Sequence, residues 1–380
     1  MIRHVGANME SVRKKNRSTI LKYLNDGGPS SRKDLADVTG LTPAAVTQIC
    51  TELLSEGILQ ETGMNVQSSG AGRKKIYLDI NYDVAYVFAI NIEPEYTVIA
   101  LSNLKGEQIE LHKSRTKTEL PPEEFLKKVS DRCKGIKEKH PEVADRITAV
   151  GVGITGIVDT PEGISQKAYG IWDEPVNVGK ILGENLDLPV FLENNVNAFA
   201  LGELYYGTGK EHDNLMVIKW GPGVGCAMII DQQIYEGRHN KAAELGHFIV
   251  DPKGAKCSCG RRGCLETKIS YQALNQIVSF EEGEFGKAYE SVAAEGKKNP
   301  FDDAIDIFAR SIVNSATIMA PNRIVIMGSL FKTKTVRDKL IEACGNYDAS
   351  WGEGRVVYSG LASREGYIGP VAICAKQLLF

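Results

Sequence analysis

Residues 244–266 decide the fold: Glu244-Leu-Gly-His-Phe-Ile-Val-Asp-Pro-Lys-Gly-Ala-Lys-Cys-Ser-Cys-Gly-Arg-Arg-Gly-Cys-Leu-Glu266. The stretch packs four soft ligands, His247, Cys257, Cys259 and Cys264, into one short loop. An imidazole with three thiolates makes a closed tetrahedral zinc site, with no position left for a catalytic water. The other cysteines of the chain, Cys50, Cys133, Cys226, Cys344 and Cys374, stand alone and suit an apolar interior as unpaired thiols. Glycines and charges surround the cluster, so the same reading suits it badly. A disulfide is disfavoured too, because the chain opens with no apolar signal segment and reads as cytoplasmic. The expectation is one structural Zn2+ per chain, held by these four residues.

A metal there would gather further polar groups. Glu244 precedes His247 by three residues, and Glu266 follows the last cysteine by two. If one imidazole nitrogen binds zinc, the other is left to hydrogen-bond something else. Fixed carboxylates beside an imidazole are what a polyhydroxylated ligand such as a sugar needs. Solvated surface charges have the same spacing, which leaves that alternative open.

The run Glu-Leu-Gly-His followed by Cys-x-Cys-Gly-x-x-Gly-Cys-Leu-Glu resembles the signature of the ROK family of repressors, open reading frames and sugar kinases. The resemblance continues in Val150-Gly-Val-Gly-Ile-Thr-Gly156, in Phe191-Leu-Glu-Asn-Asn-Val-Asn-Ala-Phe-Ala-Leu-Gly-Glu203 and in Gly221-Pro-Gly-Val-Gly225. It implies an α/β body of two actin-like (RNase H-like, sugar kinase type) lobes with the sugar in the cleft between them. The implied sugar contacts are Gly153, Asn194, Asn195, Glu244, His247 and Glu266. The first lobe is expected over 81–198, completed by a C-terminal helix near 366–380. The second, with the zinc loop and a dimerisation surface, is expected over 199–380.

Residues 1–80 read differently. The first 78 residues hold 11 Lys/Arg and 7 Asp/Glu, a net of +4 in a chain whose total is −3. A basic end on an acidic body suggests contact with nucleic acid. Ile20, Leu21 and Leu24 recur at helical spacing over 17–26, and Gly27-Gly28-Pro29 stops that helix. Ser31 is placed to cap a second helix carrying Leu35, Ala36 and Val38. After the turn Thr39-Gly40-Leu41, Thr42 is a good N-cap and Pro43 a good first residue for a third helix. Val46, Ile49 and Leu53 face inward there, and Gly57 ends it. This is a helix-turn-helix order. Two β-prone stretches, 58–61 and 75–80, flank a flexible segment and complete a wing. DNA contacts are expected from Thr42, Pro43, Ala44, Ala45, Thr47 and Gln48, and from Arg73, Lys74 and Lys75 on the wing's return.

The remaining motifs choose between kinase and regulator. The resemblance implies an Asp and glycines after the strand at 86–90, where this chain has Asn91-Ile-Glu-Pro-Glu-Tyr96. Glu93 and Glu95 would repel a triphosphate, and Pro94 removes an amide donor. Pro222 stands where the family's kinases place a hydroxyl residue, and only Gly328 remains of a glycine pair. Asn195 replaces the Asp that takes the sugar's proton, and an amide is no general base at neutral pH. The chain therefore reads as a non-enzymatic sugar-responsive regulator, similar to the xylose-operon and N-acetylglucosamine-operon repressors of the family. Its expected partners are a near-palindromic operator DNA, a monosaccharide effector and its own copy in a homodimer or tetramer, with no membrane. Control by a protein partner, or an active sugar kinase with an added DNA-binding domain, are the alternatives.

Overall fold

The computed structural model describes residues 9–63, 75–281, 283–294, 299–349, 351 and 354–380. Its N-terminal part is a winged helix-turn-helix. The first helix, Met9–Gly27, buries Ile20, Leu21, Leu24 and Asn25. It begins well before residue 17, because its exposed first half is held by ion pairs of Arg13 with Glu52 and Arg17 with Glu56. Helix Arg32–Thr39 starts with a full capping box between Ser31 and Asp34, and Gly40 closes it in the left-handed conformation. Leu35 and Ala36 are buried, whereas Val38 is exposed. Helix Pro43–Ser55 is capped by Thr42, whose side chain accepts from the Ala45 amide, and it buries Val46, Ile49, Cys50 and Leu53. Leu59–Glu61 pairs antiparallel with Tyr77–Ile80, and Ser30–Ser31 adds a third strand on the other side of Tyr77–Ile80.

The body repeats one topology twice. In the first lobe Tyr86–Ile92, Tyr96–Asn103 and Gln108–Arg115 form an antiparallel meander. Ile147–Ile154 then lies parallel to Tyr86–Ile92, and Val190–Asn194 parallel to that. In the second lobe Leu215–Trp220, Val224–Ile230 and Gln233–Ile234 form the meander, and Arg323–Met327 and Val356–Tyr358 add the two parallel strands. The two sheets have the same strand order, as expected for paired actin-like lobes.

Two helices join the lobes. Helix Asn195–Tyr206 is apolar nearly all round and packs with Leu215 and Val217 of one sheet and with Ile368 and Ala372 of the last helix. The expected division at 198/199 falls within this continuous helix. The last helix, Ile368–Leu378, lies on the first sheet, where Gly151 has the Pro370 carbonyl 2.1 Å from the place a Cβ would take. Any side chain at 151 would push that helix off.

The DNA-binding part is not loosely tethered. Its core residues and Val87, Ala89, Ala100 and Val371 of the body form one continuous apolar cluster. Among the described residues no helix is long and apolar enough to cross a membrane.

Candidate functional site

The loop after Glu244 folds back on itself through hydrogen bonds from the Val250 amide to the Gly263 carbonyl and from the Leu265 amide to the Phe248 carbonyl. Gly263 has a φ of +65°, and a Cβ there would lie 1.5 Å from the Asp251 carbonyl. Only glycine makes this close return. The fold brings His247, Cys257, Cys259 and Cys264 together, with one ligand atom of each within 4.8 Å of the others. Cys259 Sγ lies 3.6 Å from Cys264 Sγ, and Cys257 Sγ lies 3.6 Å from His247 Nδ1. Bonds of about 2.3 Å to sulfur and 2.0 Å to nitrogen give tetrahedron edges of roughly 3.5–3.8 Å. The donor set and its spacing therefore fit a tetrahedral metal, and the sulfurs are too far apart for a disulfide. Nδ1 faces the thiols, while Nε2 faces Glu244 at 3.7 Å.

The expected sugar contacts fall into two groups. On the second lobe Glu244 is exposed and His247 is buried, and Glu266 accepts from the Val224 amide at 3.2 Å. Gly223 lies against Glu266, where a Cβ would come 2.8 Å from the carboxylate. The first lobe adds Tyr169, which the sequence reading missed. Burial raises its hydroxyl pKa, and the charges of Glu244, Cys259, Glu266 and Cys257 raise it further. A lone tyrosine before a loop glycine carries no sequence signal for this.

Two of the expected sugar contacts on the first lobe also have structural roles. Asn194 caps helix Asn195–Tyr206: its side-chain oxygen accepts from the Val196 and Asn197 amides, and its nitrogen donates to the Gly156 carbonyl at 2.8 Å. Its amide is already engaged in shaping the site. Gly153 is buried, and a Cβ on it would lie 2.9 Å from Asn91 Oδ1, so it provides clearance. Asn195 is half-buried and donates to Glu93 Oε1 at 3.1 Å.

After strand Tyr86–Ile92, where the resemblance implies a phosphate loop, the chain makes a tight hairpin through Pro94 and Glu95, closed by a bond from the Glu93 amide to the Tyr96 carbonyl. Glu93 is not a free repelling charge, as the sequence suggested. Its Oε1 accepts from Lys219 of the second lobe, from Asn91 at 2.8 Å and from Asn195. Lys219 also pairs with Glu365 at 3.2 Å. Burial alone would raise the Glu93 carboxyl, but the Lys219 charge and hydrogen bond, with Asn91 and Asn195, hold it below its ordinary value. Lys219 is shifted up: the two carboxylates outweigh its own burial. An ion cluster thus spans the lobes beside a cavity of about 350 Å³.

On the DNA-facing helix Thr42, Pro43, Ala44, Thr47 and Gln48 are exposed and Ala45 is half-buried. Gln48 Nε2 donates to Glu52 at 3.1 Å. Lys75, an expected DNA contact on the wing's return, is paired with Asp34 at 3.0 Å. Arg73 and Lys74 lie outside the described residues.

The ROK family model matches residues 87–376, and a winged helix-turn-helix DNA-binding model matches residues 13–60. The xylose repressor of Bacillus subtilis is 30% identical over 276 residues, covering 73% of this chain and 71% of that protein. The dual regulator NagC of Escherichia coli is 25% identical over 363 residues, covering 90% of this chain and 87% of that protein. A solved ROK family transcriptional regulator, described as a homologue of E. coli Mlc, superposes with a TM-score of 0.79 at 25% identity, covering 97% of this chain and 96% of that one. The chain belongs to the ROK family and carries, ahead of its kinase-like two-lobed body, a winged helix-turn-helix DNA-binding domain.

Proposed function

We propose that this regulator is a repressor of a carbohydrate-utilisation operon that binds a monosaccharide in the interlobe cleft and leaves it unphosphorylated. Glu244, His247, Glu266 and Asn195 are the proposed sugar contacts, with Tyr169 closing the first-lobe side. His247, Cys257, Cys259 and Cys264 are the proposed ligands of one Zn2+, whose contribution is to fix the loop that presents Glu244, His247 and Glu266. With every ligand position supplied by the chain, such a metal is structural. A cytoplasmic homodimer or tetramer is proposed as the DNA-binding form, because two symmetry-related recognition helices suit a near-palindromic operator.

The observation that carries the reading is the Lys219–Glu93–Glu365 cluster. It stands at the end of strand Tyr86–Ile92, where the family resemblance implies a phosphate loop, and it puts two carboxylates there. Asn195 adds that the sugar side has an amide in place of a general base. The test is calorimetric titration with a monosaccharide panel that includes xylose and N-acetylglucosamine, alongside an assay with ATP and magnesium. One sugar should bind once per chain and yield no sugar phosphate. Robust turnover contradicts the regulator reading, and silence across the panel moves control to a protein partner.

A further inference from the structure

A second cavity, of about 380 Å³, lies far from the DNA-binding part, in the groove between the edge strand Gln108–Arg115 and helix Pro122–Lys139. Its size is within the about 300–1,000 Å³ of small-molecule sites. Its floor is apolar. Ile99 projects from the neighbouring strand, and Phe125 and Val129 project from the helix one turn apart. Its rim is cationic. Lys128 and Arg132 stand one helical turn apart on the same side as Val129, and Arg115 and Lys117 close the strand end.

Surface cations are ordinarily solvated or paired, and the neighbourhood shows what pairing looks like. Glu110 holds Lys139 and His140, and Glu124 reaches Lys128 at 3.3 Å. Arg115, Lys117 and Arg132 have no carboxylate partner among the described residues. They stay gathered around a cavity despite their mutual repulsion. His112 lines the same wall, and its pKa is lowered by burial and then by Arg132, so at neutral pH it offers a neutral imidazole. Ser114, two residues on along the same face of the strand, adds a hydroxyl.

We propose that this groove is a second small-molecule site, for an organic phosphate monoester. Guanidinium groups match phosphate oxygens two at a time, and the apolar floor takes the organic part. Operator DNA is a poorer occupant. Ile99 points to this side of the sheet, whereas its neighbour Ala100 points to the cluster shared with the DNA-binding part. The sheet itself stands between them. The groove does touch the cleft machinery. Thr97, in its wall, donates to the Thr116 hydroxyl at 2.9 Å, and Thr116 donates in turn to the Glu93 carbonyl at 2.6 Å.

Phenyl phosphate is a suitable probe, because it has no sugar hydroxyls for the interlobe cleft. Titrated calorimetrically into the full-length protein, it should saturate at one per chain and bind more tightly than inorganic phosphate. Arg132→Ala and Arg115→Ala should each weaken it at least about tenfold, since each removes charge-assisted hydrogen bonds. Both arginines are polar residues outside the core, and an unchanged melting temperature would confirm that the variants fold. The proposal is overturned if wild type shows no saturable binding, if Arg132→Ala binds as well as wild type, or if inorganic phosphate binds as tightly as the ester.

Discussion

At the scale of single residues, Lys219 carries the most. Its side chain is 12% exposed and joins Glu93 and Glu365, which lie in different parts of the sequence. Removing one partner of a buried ion pair leaves an uncompensated charge, at a cost of about 3–5 kcal/mol. Lys219→Met should therefore lower unfolding stability by that order in urea, and adding Glu93→Gln should recover part of it. The pH dependence follows from the sign of the Glu93 shift. A carboxyl held below its ordinary 4.5 stabilises the fold above that value, and the contribution fades as pH falls through the lower native value. The stability gap between wild type and Glu93→Gln should be full at pH 7 and close in acid. The proposed zinc ligands give the second residue-scale expectation. Purified protein should contain one zinc per chain, and Cys257→Ala should lose it and melt at lower temperature. Absence of zinc in the wild type, with freely reactive thiols, would remove the metal from the account. The sequence made the His/Cys cluster legible because its members fall close together around a glycine return. Glu93 was misread as a repelling charge because its partner lies 126 residues away, and no local pattern announces such a pair.

At the scale of elements, capping chemistry was the most readable signal. Ser31, Gly40, Thr42, Pro43 and Gly57 take the positions that their conformational preferences suggest. The extension of the first helix back to Met9 was hidden, since its exposed half has no apolar period and depends on Arg13 and Arg17 reaching the third helix. Strand Ser30–Ser31 was hidden too, because serines carry little strand preference and the pairing comes from Tyr77 and Leu78. Thr42→Ala should cost about 1 kcal/mol by removing the cap on the recognition helix, which chemical denaturation can measure. Gln48→Ala should relax base preference at one operator position by about 1–3 kcal/mol. Since Gln48 leans on Glu52 in this structure, contact with a base requires that hydrogen bond to open. Uniform loss across all operator sequences would assign Gln48 to phosphate contact instead.

At the scale of the whole molecule, one helix joins the proposed sugar cleft to the DNA-binding part. Helix Asn195–Tyr206 begins at the proposed sugar contact Asn195, and its 12 residues reach about 18 Å along its axis. At its far end the Tyr205 carbonyl accepts from Asn25 of the first DNA-binding helix at 2.6 Å. Asn25 in turn accepts from the Tyr82 hydroxyl, and its own carbonyl accepts from Lys210. A ligand that draws the lobes together through Asn195, Glu244, His247 and Glu266 favours the closed state by its differential affinity. Any shift of this helix is felt at Asn25 and so, in the proposed homodimer, in the spacing of two recognition helices about one DNA turn apart. Linkage makes the effect reciprocal. The central claim is therefore tested by measuring the affinity of the effector sugar with and without saturating operator DNA. The account predicts weaker sugar binding on the operator, by the same factor by which the sugar weakens operator binding, and a smaller factor in Asn25→Ala. Equal affinities in the two titrations, with Glu244→Ala still fully inducible, would contradict it.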